Sequence, residues 1–101
     1  MDYHCCYRGT LLFPWGYTKD SIPTADRQEL NALGDLLKEQ LPKTKYGAVG
    51  EILWYTATGS TLDYWYSQYG AMSLTYEGNY RTEPQNIKKH VEWWKSVVSL
   101  Y

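Results

Sequence analysis

The candidates for the chemistry that water activation requires are His4, an imidazole able to ligate a metal, and Glu77, a carboxylate able to take a proton. Glu77 closes an apolar run and precedes Gly78, a place where partial burial can tune a carboxylate for base work. A positioned base contributes ~10²–10⁴-fold to a rate. Taken singly, each residue also has an ordinary explanation. Acids just past a strand are usually solvated or cap something, and a lone His is usually exposed or hydrogen-bonded. Tyr55 beside Trp54 reads equally as core packing, and Asp63 as a carboxylate at the positive end of a helix. A cysteine zinc cage is not expected, because Cys5 and Cys6 are the only cysteines and neighbouring residues point in different directions. Adjacent positions are also poorly placed to bond to each other.

The elements that would position these groups alternate between strand and helix. Residues 3–15 are extended in character, with the apolar run Thr10, Leu11, Leu12 and Phe13 halted by Pro14 and Gly16. Over 24–41, Leu30, Leu33, Leu37 and Leu41 recur at three- and four-residue steps, an amphipathic helix bounded by Pro23 and Pro42. Gly34 within it costs ~1 kcal/mol relative to Ala. The aromatic and branched residues of 51–57 suggest a strand after a turn between Gly47 and Gly50. Ser60 offers an N-cap to a short helix that Gly70 closes, with Asp63 in its first turn. Alternation of Met72, Leu74 and Tyr76 makes 71–77 a strand. A last helix opens with Thr82 and Gln85 spaced as a capping box and sets Ile87, Val91, Trp94 and Val98 on one face. This pattern predicts a single α/β domain over 1–101, with a mixed, partly parallel sheet whose functional residues gather at strand ends. His4, Tyr55 and Glu77 are expected at or near such ends.

Composition narrows the function. The 101 residues have a net charge of −1, with Lys and Arg dispersed among the acids, so the basic footprint of a nucleic-acid binder is missing. No apolar stretch approaches the ~20 residues a membrane span needs, and the first residues have no signal-peptide pattern. Eleven Tyr and five Trp against one Phe give most rings a polar handle, which suits half-wet pockets and interfaces.

In order along the chain stand His4, then Leu11 to Tyr17 (Leu-Leu-Phe-Pro-Trp-Gly-Tyr), then Tyr55 to Asp63 (Tyr-Thr-Ala-Thr-Gly-Ser-Thr-Leu-Asp), then Ser73 to Glu77 (Ser-Leu-Thr-Tyr-Glu). Together these resemble the C-terminal part of the catalytic domain of the carboxypeptidase A/B family of zinc metallocarboxypeptidases. The resemblance implies the C-terminal part of that fold and hydrolysis of C-terminal residues from peptides. His4 would be the third zinc ligand, Glu77 the base that deprotonates the zinc-bound water, and Tyr55 the mobile tyrosine that helps to hold the substrate's terminal carboxylate. Leu62 matches the floor of the side-chain pocket, where basic-specific members carry Asp, and Ala57, Thr75 and Gly16 match other positions of that pocket. An apolar floor implies apolar or aromatic C-terminal residues, since an unpaired buried cation is costly.

The family's other zinc ligands come from an upstream His-x-x-Glu that this sequence does not contain, so zinc is expected for the full domain and weakly or not at all for these residues alone. Tyr80 and Arg81 fall where a shortened loop could substitute for family groups. Peptide or protein C-termini are the expected partners, and self-association through an unpaired strand edge is expected of this piece by itself. Family members are often secreted. The alternative reading is a non-catalytic carboxypeptidase-like domain that binds peptide or protein through an aromatic cleft.

Overall fold

The structure, a computed structural model, describes residues 1–5, 7–79 and 83–101. Its elements in chain order are β1 (Asp2–Cys5), β2 (Thr10–Phe13), α1 (Thr24–Gln40), β3 (Lys45–Ala48), α2 (Val49–Leu53), α3 (Thr61–Tyr69), β4 (Thr75–Gly78) and α4 (Glu83–Leu100). The four strands form one mixed sheet in the order β1-β4-β2-β3. β1 runs parallel to β4, β2 parallel to β3, and the central pair β2 and β4 antiparallel. The α/β class and the partly parallel sheet agree with the sequence pattern.

One face of the sheet carries the main core. The leucine stripe of α1 (Leu30, Leu33 and Leu37) and Trp93 and Val97 of α4 pack on Leu11, Phe13 and Tyr76. The indole N–H of Trp93, wholly buried, donates to the Leu33 carbonyl at 3.0 Å and so ties α4 to α1. On α4 the buried positions are His90, Trp93 and Val97, whereas Ile87, Val91 and Val98 are exposed. This corrects the expected face. His90 is partnered, with Tyr3 and Tyr76 edge-on to its ring, so a polar residue holds a core position that an apolar count passes over. The capping box proposed at Thr82 lies outside the described residues.

Gly34 has a packing reason that outweighs its helix penalty. A Cβ there would stand 2.5 Å from the Tyr46 ring of β3. Gly34→Ala is therefore expected to destabilise the protein by roughly 1–3 kcal/mol through overpacking, although propensity alone favours Ala by ~1 kcal/mol. Urea denaturation checks this, and a gain in stability would contradict it.

The segment 51–57 is the main departure from expectation. The strand is Lys45–Ala48, Gly47 lies in it rather than in a turn, and Val49–Leu53 forms a single helical turn and a half. Trp54 adopts a left-handed conformation (φ 66°) and ends that helix, leaving Tyr55 in an irregular connection instead of at a strand end. Burial explains the difference. A Cβ on Gly47 would meet Glu51 Oε2 at 3.2 Å and Ile52 Cδ1 at 3.3 Å, so a weak strand former is required where α2 folds back on β3.

Tyr66 of α3 is buried and its phenol donates to Asp26 of α1. Burial first, then this bond, pushes the phenol up to about 12. The folded value lies above the ordinary value near 10, so the contribution is intact below pH 10 and is lost as pH rises through about 12. Tyr66→Phe is expected to flatten the fall in stability between these pH values, measured by denaturation in alkaline buffers. Tyr101, also pushed up to about 12 by its bond to Glu29, serves as the comparison residue.

Candidate active site

Strand register decides which side chains meet. β1 and β4 set Asp2 beside Thr75 and His4 beside Glu77, while β2 sets Leu12 opposite Thr75. Paired residues share a face of a sheet. Asp2, His4, Leu12, Thr75 and Glu77 therefore line one side, and Tyr3, Leu11 and Tyr76 turn to the other, against the helical core. The carboxylate of Glu77 has no hydrogen bond or ion pair among the described residues.

On the His4 side, Leu12, Val49 and Leu62 form a second apolar cluster with Ile52 and Leu53. This cluster borders a cavity of about 380 Å³ that is also lined by Asp2, His4, Gly16, Tyr55, Ala57, Thr75 and Glu77. All seven residues singled out in the sequence, His4, Gly16, Tyr55, Ala57, Leu62, Thr75 and Glu77, line this one hollow. Tyr55 is 59% exposed. A cavity of similar volume, about 370 Å³, lies beside Arg27 and Glu51, but these two charges engage each other at 2.6 and 3.2 Å. The guanidinium of Arg27 holds the Glu51 carboxyl below its ordinary value.

Asp63 is a wall-builder. Its carboxylate accepts the N–H of Gly16 at 2.7 Å and of Tyr17 at 2.8 Å, while the Gly16 carbonyl accepts the N–H of Ala57 at 2.7 Å. The segment ahead of α1, which contains a cis Pro14–Trp15 peptide, is thereby clamped to the connection between α2 and α3. Glycine permits the approach: a Cβ on Gly16 would stand 3.2 Å from the Ala57 carbonyl oxygen. Asp63 keeps its place at the start of α3 as well, where its N–H donates to the Ser60 hydroxyl at 3.4 Å. The double role was signalled in the sequence only by an acid in a first turn.

Two residues at the site were not singled out in the sequence. Asp2 Oδ2 lies 3.0 Å from His4 Nε2 and accepts the Thr61 hydroxyl at 2.9 Å. The Thr61 bond first, opposed by partial desolvation and aided by His4, lowers the Asp2 carboxyl from its ordinary value. The signal for Asp2 was its two-residue spacing from His4, which in a strand places both on one side. Cys5 is disulfide-bonded, and Cys6, Tyr80 and Arg81 lie outside the described residues.

No three His, Cys, Asp or Glu residues among those described are grouped to hold a metal ion. The nitrogen donor on the hollow is the His4 imidazole, whose Nδ1 has no partner among the described residues.

A sequence profile described as zinc carboxypeptidase matches residues 2–92. Carboxypeptidase A1 of Bos taurus is 37% identical over a 106-residue alignment that covers 93% of this chain and 25% of the relative. Carboxypeptidase A1 of Mus musculus is 38% identical over 76 residues, 70% of this chain and 17% of the relative. The carboxypeptidase A1 of Rattus norvegicus matches with the same identity and coverage. The chain thus spans between a sixth and a quarter of the length of these relatives.

Proposed function

Since the chain belongs to the zinc carboxypeptidase family, we propose that it supplies one wall of a carboxypeptidase active site, the wall that holds the general base and the pocket for the C-terminal side chain. The convergence of His4, Tyr55, Leu62 and Glu77 on one cavity carries this reading. The family's zinc would be held here by His4, with the remaining ligands supplied from outside this chain. Zinc, when bound, acidifies water and polarises a carbonyl.

The chain's own residues do the rest. Glu77, beside His4 in register and with its carboxylate unpaired among the described residues, accepts the proton of the attacking water and returns it to the departing amine. Tyr55, half out of the protein at the edge of the hollow, donates its phenol to the substrate's terminal carboxylate. Leu62, Leu12 and Val49 offer apolar surface to the last side chain, while Gly16, Ala57 and Thr75 leave room for it. The pocket floor therefore favours apolar or aromatic C-terminal residues over Lys and Arg by on the order of 10²-fold, the cost of burying a cation without a partner.

The test is hydrolysis of peptides ending in Phe, Leu or Lys by the longest natural polypeptide containing this chain. Chelator-sensitive release of Phe or Leu is expected, with Leu62→Asp moving the preference toward Lys. Failure to release any C-terminal residue would end the catalytic reading. For the 101 residues alone, calorimetry should find no zinc binding tighter than micromolar, because among the described residues no three ligating side chains are grouped to hold a metal ion.

A second reading has its own observation. Tyr64, Trp65 and Tyr69 are exposed and stack edge-on or tilted, with ring centroids 5.1 to 6.2 Å apart. Trp65 is 47% exposed. Such amphipathic rings suit a non-catalytic domain that binds peptide or protein termini. Saturable peptide binding without hydrolysis would favour it. The outer edge of β1 offers a further contact, self-association of the isolated chain, which a sizing column detects.

A further inference from the structure

We infer that Asp2 is a positioning residue that locks the His4 imidazole with its Nδ1 lone pair available to the cavity, and that Thr61 in turn locks Asp2. The inference rests on the reading of His4 as a metal ligand but is carried by a separate set of contacts.

An ionised carboxylate has no hydrogen to donate. The 3.0 Å contact between His4 Nε2 and Asp2 Oδ2 must therefore use a hydrogen on Nε2. In a neutral imidazole that leaves Nδ1 as the nitrogen with the lone pair, the form that ligates a metal. Asp2 is itself held from two directions. Its backbone N–H donates to the Leu74 carbonyl at 2.9 Å, and its Oδ2 accepts the Thr61 hydroxyl at 2.9 Å. Thr61 opens α3, whose Ser60 cap fixes that helix end. The imidazole is thus referenced to a helix as well as to its own strand.

This matters because His4 has little else to hold it. Its side chain is 55% exposed, and among the described residues Asp2 is its hydrogen-bonding partner. An exposed ring without such a partner samples several rotamers and both neutral tautomers. A carboxylate behind a ligating histidine fixes tautomer and orientation together and makes the ligand more basic.

The experiment is long-range ¹H–¹⁵N correlation of the two histidines in the metal-free 101-residue chain at neutral to mildly alkaline pH. Wild-type His4 is expected as a single Nε2–H tautomer. Asp2→Ala should lose it to a mixture, Asp2→Asn should largely restore it through its carbonyl oxygen, and Thr61→Val should loosen it in part. His90, the only other histidine, reports whether each variant keeps the fold and should not move. A wild-type His4 already present as a mixture or as Nδ1–H would overturn the proposal, as would a tautomer unchanged by Asp2→Ala. No metal and no activity enter these readouts. A locked His4 in a longer polypeptide that binds no zinc would therefore count against the enzymatic reading and leave the role of Asp2 standing.

Discussion

Glu77→Gln is expected to lower peptide hydrolysis by ~10²–10⁴-fold in the natural polypeptide that contains this chain, the usual contribution of a positioned general base. The carboxamide has nearly the same shape but cannot take a proton from water. Because Glu77 is half-buried beside His4 and its carboxylate is unpaired among the described residues, the substitution breaks no internal bond that the fold depends on. Stability should change by no more than ~0.5 kcal/mol, as for substitutions away from structural contacts. The loss should fall on kcat with KM little altered, as when an interaction made only in the transition state is removed. Retention of activity within tenfold of wild type would assign the proton transfer to another group.

Trp93→Ala is expected to destabilise the protein by about 3–5 kcal/mol, the range for truncating a buried aromatic. Trp93 is wholly buried where α4 meets α1 and the sheet, so little can collapse into the space it leaves. Its N–H bond to the Leu33 carbonyl is buried too. In a domain of this size each 1 kcal/mol moves the melting midpoint by roughly 4–8 °C, so a fall of 12 °C or more is expected. Trp93→Phe keeps most of the apolar volume, loses the donor, and should fall in between. A loss under 1 kcal/mol for Trp93→Ala would mean that the α1 and α4 interface contributes little to holding the fold together.

What could be read from the letters follows from how local each signal is. α1 was legible because its leucines repeat at helical steps, and α3 because Ser60 and Gly70 mark its ends with side-chain and backbone chemistry of their own. β3 was not. Of Lys45, Tyr46, Gly47 and Ala48 only Tyr46 favours a strand, and the segment pairs because β2 lies alongside and α2 packs down on Gly47. The helical identity of Val49–Leu53 is set by the same packing, which overrides a β-rich composition. On α4 the apolar stripe misled because His90 occupies a buried position. At the site, recognisable motifs led to seven of the residues that line the cavity, whereas the roles of Asp2, Thr61 and the clamp made by Asp63 depend on contacts across 46 to 59 positions of chain.

The pairing of β1 with β4 sets His4 beside a residue made about 70 positions later. At ~5–20 residues per second, a ribosome takes roughly 4–15 s to add that intervening stretch. Through that interval the imidazole has Asp2 at hand but not Glu77. Whatever chemistry the pair performs therefore waits until residue 77 has been made and β4 has folded alongside β1.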